Sequence, residues 1–104
     1  MTKDEIQEKI NTNNVVVLKC GASWCSPCKT MEPIIESVAQ RFEGKAVVIS
    51  VDVDEEPDIA TQYRVRNIPT ILYFKGGELT AKSVGAMSEN ELVGKINKLL
   101  GEEN

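Results

Sequence analysis

The run Val15-Val16-Val17-Leu18 constrains the fold of this chain more than any other feature of its sequence. It is apolar, largely β-branched, too short for a helix and without polar alternation, which is the pattern of a strand buried on both faces. Such a strand, placed at about 15–20, sits in the middle of a sheet that other elements must cover on both sides. From Cys25 onward, Met31, Ile34, Ile35, Val38, Ala39 and Phe42 recur at helical spacing until Gly44 supplies a stop. Ala46-Val47-Val48-Ile49-Ser50-Val51 is a second buried strand. Strand, helix and strand in that order imply a right-handed parallel crossover, so the chain reads as α/β.

The flanking segments complete the pattern. Thr2 and Glu5 have the spacing of a capping box, and Ile6 and Ile10 follow one helical turn apart, so residues 3–12 read as a short amphipathic helix. Asp54-Glu55-Glu56-Pro57 starts another short helix, carrying Ile59, Ala60 and Tyr63. After Ile68-Pro69, Thr70 to Phe74 is a third strand, Lys75-Gly76-Gly77-Glu78 a turn, and Leu79 to Val84 a fourth strand. Leu92, Val93, Ile96, Leu99 and Leu100 form one stripe of a terminal helix. With 104 residues and no linker or repeat, a single domain over 1–104 is expected.

Composition removes most chemistries. The chain has no histidine, which excludes serine–histidine and cysteine–histidine catalysis and histidine metal ligation together. A net charge of −4 with scattered Lys and Arg argues against a nucleic-acid surface. A polar N-terminus and the lack of a long apolar stretch argue against export and against a membrane. A soluble, cytoplasmic monomer is expected. All three cysteines fall within nine residues, unlike the spread framework of a secreted scaffold, and this favours a working thiol site in a reducing compartment.

Cys25 and Cys28 carry that site. Trp24-Cys25-Ser26-Pro27-Cys28 lies where the first buried strand gives way to a helix. There, unpaired backbone N–H groups and the positive end of the helix dipole favour a thiolate at Cys25, the natural nucleophile. Cys28 is one turn further on the same face, placed to resolve a mixed disulfide. Pro27 is tolerated because its missing N–H has no intrahelical partner in the first turn. A cysteine pair at this spacing is also half of a metal site, and Cys20-x4-Cys25-x2-Cys28 matches part of an iron–sulfur pattern. The fourth cysteine of that pattern is absent and Cys20 belongs to a strand, so Cys20 reads as a buried structural thiol and no metal or bound cofactor is expected.

Trp24-Cys25-Ser26-Pro27-Cys28-Lys29 resembles the active site of the thioredoxin family, whose usual form has glycine in place of Ser26. The resemblance continues at Pro33, at Asp54 with Pro57, at Ile68-Pro69-Thr70, at the Lys75–Glu78 turn and at Gly85. It implies a thioredoxin fold, a three-layer α/β/α sandwich. It implies a protein dithiol–disulfide oxidoreductase that reduces disulfides in protein substrates and is recycled by a flavin- and NADPH-dependent thioredoxin reductase. It further implies a cis Ile68-Pro69 bond packed against a redox-active Cys25–Cys28 disulfide. Trp24, Ile68, Pro69, Gly85 and Ala86 would then form the substrate platform, with Ser26, Pro27 and Pro69 modulating the redox properties.

The departures from the family are specific. The usual first edge strand has no counterpart, so the mixed sheet is expected to have four strands. Lys19 stands where the family usually carries a buried aspartate, Ser50 where a lysine commonly faces it, and Gly21 where an aromatic residue is common. Lys19 is on the same strand face as Val17 and is expected to point beneath Cys28, where it would modulate the redox couple; the alternative is that its long side chain reaches solvent and touches nothing. Two other functions compete with the reductant. One is a specialised oxidant or isomerase, motivated by Ser26 and Lys19. The other is a binding module in which the cysteines are dispensable.

Overall fold

The computed structural model describes residues 1–101; residues 102–104 of the expected domain lie outside the described residues. Eight elements follow in the order α1 (Lys3–Thr12), β1 (Val15–Gly21), α2 (Ser26–Arg41), β2 (Val47–Asp52), α3 (Pro57–Gln62), β3 (Thr70–Lys75), β4 (Glu78–Val84) and α4 (Glu89–Leu100). The four strands form one mixed sheet in the order β2-β1-β3-β4. β1 runs parallel to β2, and β3 is antiparallel to both β1 and β4. The four-stranded sheet without a further edge strand is the arrangement expected from the short segment before β1.

Alternation along β1 divides the core. Val15 and Val17 face α2 and α4, where they pack with Met31, Ile35, Leu92 and Ile96. Val16, Leu18 and Cys20 face α1 and α3, where Ile6, Ile10 and Ile59 cover them. Two apolar layers on opposite faces of one sheet make the three-layer α/β/α sandwich, and they account for a β1 that is buried at every residue.

Local signals set the helix ends. In α1, Thr2 Oγ1 accepts the Glu5 N–H and the Glu5 carboxylate accepts the Thr2 N–H. Ser88 and Glu91 form the same reciprocal cap on α4, so that helix begins at Glu89, ahead of the apolar stripe that marked it in the sequence. α3 begins only at Pro57, because the Asp52 carboxylate accepts the N–H groups of Asp54 and Glu55 and holds that acidic stretch in a turn. α2 ends at Arg41 and a turn closes on Phe42, whose carbonyl accepts the N–H groups of Lys45 and Ala46.

Candidate active site

The C-terminal end of β1 and the first turn of α2 present the two cysteines. Cys25 is the N-cap of α2 and its sulfur accepts the Cys28 N–H at 3.3 Å, while Pro27 occupies the first turn. The two residues are joined by a disulfide with their Cα atoms 5.3 Å apart. Both are buried, Cys25 at 6% exposure and Cys28 at 1%. Cys25 is the outer of the pair.

The residues around the pair come from three loops. Trp24 is 69% exposed, and its indole N–H donates to the Asp54 carboxylate at 2.8 Å, which ties the loop before α2 to the turn after β2. Ile68 packs on the small apolar cluster of Ala22, Cys25 and Cys28. The Ile68-Pro69 peptide bond is cis. Gly85 adopts φ +98°, open to glycine at little cost, and its N–H donates to the Pro69 carbonyl at 2.8 Å. That bond brings the segment after β4 beside the cis-proline; Ala86, the next residue, is exposed. Ser26 and Pro27 are exposed between the cysteines.

Lys19 does not extend to solvent. It is 2% exposed, and its ammonium is paired with the Glu32 carboxylate. Ser50, the register partner of Lys19 on β2, donates its hydroxyl to the other Glu32 oxygen at 3.2 Å. The charge absent from Ser50 is thus supplied, with opposite sign, by helix α2. Glu32 did not emerge from the sequence. The available signal was its position four residues after Cys28, on the same helical face, opposite a lysine on the inner face of β1.

Gly21 explains how closely this pair approaches the disulfide. A Cβ at Gly21 would lie 2.9 Å from Cys28 Sγ, 3.0 Å from Cys28 Cβ and 3.3 Å from Lys19 Nζ. The bare Cα lets β1 and α2 close on each other, and it borders an open cleft of about 340 Å³ shared with Lys19, Glu32 and Ser50. Among the described residues, no group of three or more His, Cys, Asp and Glu side chains is placed to hold a metal ion.

Cys20 points away from this site, into the α1/α3 face, as a buried free thiol. Burial pushes its pKa from 9.0 up to about 11. The unfolded chain releases this proton first, so stability is intact below pH 9 and falls as the pH rises from about 9 to about 11, by roughly 1.4 kcal/mol per pH unit. Burial raises Tyr63 and Tyr73 as well, adding a slope in the same direction. Denaturant titrations of the parent and of Cys20→Ala at pH 8.5 and 10.5 check this; the alanine variant should show the shallower fall.

The similarity to known proteins is extensive. The sequence model of the thioredoxin family matches residues 1–98. A thioredoxin of Chlorobaculum thiosulfatiphilum is 42% identical over 94 residues, covering 90% of this chain and 87% of that protein. Thioredoxin 1 of Nostoc sp. is 38% identical over 94 residues, with 90% and 88% covered. Among solved structures, a mutant thioredoxin from Halobacterium salinarum superposes with a TM-score of 0.90 at 33% identity, covering 96% of this chain and 87% of that one. With a cysteine pair closed into a disulfide at the start of α2, a cis-proline beside it and this similarity along nearly its whole length, the chain belongs to the thioredoxin family and is a dithiol–disulfide oxidoreductase.

Proposed function

We propose that the chain is a general reductant of protein disulfides in which Cys25 attacks the substrate and Cys28 resolves the mixed disulfide. The observation that carries this reading is the position of Cys25 as N-cap of α2, its sulfur facing the Cys28 N–H and the helix N-terminus, which favours the thiolate form of the outer, reachable cysteine. An extended substrate segment lies along Ile68 and Pro69, between Trp24 on one side and Gly85 and Ala86 on the other. The chain works as a single domain over 1–104, as a monomer, in the cytoplasm, and a flavin- and NADPH-dependent reductase returns it to the dithiol form. No helix of the described residues is long and apolar enough to cross a membrane.

Four residues set the redox properties: Ser26 and Pro27 between the cysteines, Pro69 beside them, and Lys19 beneath. Lys19 acts through its charge. Its ammonium and Cys28 Sγ each come close to one point above Gly21 Cα, which puts them within about 6 Å of each other; at an effective dielectric of 20 that is roughly 3 kcal/mol in favour of a Cys28 thiolate. Glu32 opposes this, but its side chain is 48% exposed and solvent screens it more than it screens the buried lysine. If about half the attraction survives, the Cys28 thiolate gains about 1.4 kcal/mol, and the potential moves in the oxidising direction by at most some 30 mV, in proportion to the fraction of Cys28 ionised in the reduced form. The couple should therefore lie above the roughly −270 mV of a typical thioredoxin, and Lys19→Leu should move it more negative, by up to about 30 mV. Equilibration with glutathione measures both. A parent potential near that of a strong oxidant, about −120 mV, would refute the reductant reading.

A further inference from the structure

We propose that Glu32 is the proton acceptor for Cys28, reached through the Lys19 ammonium, and that the cleft beside Gly21 is the exit through which that proton leaves. The inference rests on the reading that Cys28 is the resolving thiol. Resolution needs a Cys28 thiolate, yet Cys28 is 1% exposed and packed among Ala22, Cys25, Val53 and Ile68, where bulk water does not take its proton. The buried polar group on its inner side is Lys19, whose Nζ lies 3.3 Å from the point beside Gly21 that Cys28 Sγ approaches to 2.9 Å, and the proposal places one water between the two.

An ammonium has no lone pair, so Lys19 accepts a proton only as it gives one away. The structure provides the recipient, since Glu32 Oε1 is paired with Lys19 Nζ at 2.5 Å. Ser50 donates to Glu32 Oε2 and fixes the carboxylate in place. Glu32 is half-exposed and lines the cleft together with Lys19 and Ser50, so a protonated Glu32 can pass its proton to water.

The step balances without a further reagent. The Cys28 S–H bond breaks and its proton moves to one bridging water, that water passes a proton to Lys19 Nζ as an ammonium proton moves from Nζ to Glu32 Oε1, and the water is left unchanged. Lys19 remains an ammonium throughout. The Cys28 thiolate attacks Cys25 Sγ in the mixed disulfide, the Cys25–Cys28 bond forms, and the substrate sulfur leaves with the electron pair of the broken bond. In this scheme Lys19 and Glu32 are positioning residues that act on the reacting sulfur from behind.

A relay and a purely electrostatic role make opposite predictions for Glu32→Gln. Removing the carboxylate leaves the Lys19 charge uncompensated, and if only charge mattered Cys28 would ionise more readily and resolution would speed up. A relay loses its acceptor and slows. The experiment mixes the reduced full chain with dithiobis(nitrobenzoate) in a stopped-flow instrument: the first thionitrobenzoate released reports attack by Cys25, the second reports resolution by Cys28. Glu32→Gln should leave the first release within twofold of the parent and slow the second tenfold or more. Lys19→Arg provides the independent variant, because a guanidinium keeps the charge and the ion pair but does not hand on protons. It too should slow only the second release. A second release as fast as or faster than the parent's in either variant overturns the relay, as does equal slowing of both phases. Loss of the first release from the parent itself would instead overturn the assignment of Cys25.

Discussion

Cys25→Ser is expected to lower the rate of substrate-disulfide reduction by roughly a thousandfold or more, because a serine hydroxyl is scarcely ionised near neutral pH and only the ionised form attacks a disulfide. The remaining active-site thiol does not take over. Cys28 is 1% exposed, one helical turn behind position 25, and reaches a substrate sulfur only after Cys25 has brought it into the site. Cys28→Ser fails differently: the first exchange proceeds, but nothing displaces the substrate, and turnover stops after one equivalent. Mixing each pre-reduced variant with a disulfide-bonded protein, with no other thiol present, separates the full loss in Cys25→Ser from the single-turnover burst in Cys28→Ser.

Gly21→Ala is expected to destabilise the disulfide form by about 1–3 kcal/mol, the usual range for forcing an extra methyl group into a packed interior. The atoms it meets are the Cβ and Sγ of Cys28, held by helix α2 and by the disulfide, so neither can swing aside. Only the separation of β1 from α2 relieves the contact, and that opens the layer containing Lys19, Glu32 and the cysteine pair. In a domain of this size the melting temperature should fall by roughly 5–20 °C. Gly94→Ala is the control with the opposite sign. Gly94 lies inside α4 with nothing within 4 Å of a new Cβ, so alanine there should stabilise by about 0.5–1 kcal/mol. Thermal unfolding followed by circular dichroism compares the two.

The contrast between these glycines shows what a sequence carries and what it leaves out. Elements marked by local rules were legible: the Thr2–Glu5 cap set α1 at Lys3–Thr12, and the apolar run at Val15 set a central strand that is buried throughout. The start of α4 carries the same local signal, Ser88 and Glu91 directly before the apolar stripe, although the stripe alone announced the helix. At the site, Cys25 and Cys28 are readable because their spacing and their place at a helix start are local properties. Glu32 is not. Its pairing with Lys19 depends on how the inner face of β1 registers against α2, and that is set by Gly21 and by the packing of Val17 on Met31 and Ile35, with no signal in the residues adjacent to either charge. The change from lysine to Ser50 on β2 looked like the loss of an ion pair, and in the fold it is the gain of a hydroxyl that holds Glu32.

The central claim is that the two cysteines have different roles, Cys25 bonding to substrate and Cys28 releasing it. Intact-mass spectrometry of each single serine variant, incubated with a disulfide-bonded protein and quenched with acid, tests it most directly. Cys28→Ser should carry one substrate molecule in a mixed disulfide at Cys25, and Cys25→Ser should carry none. Equal trapping by both variants, or trapping through Cys28 alone, would contradict the account.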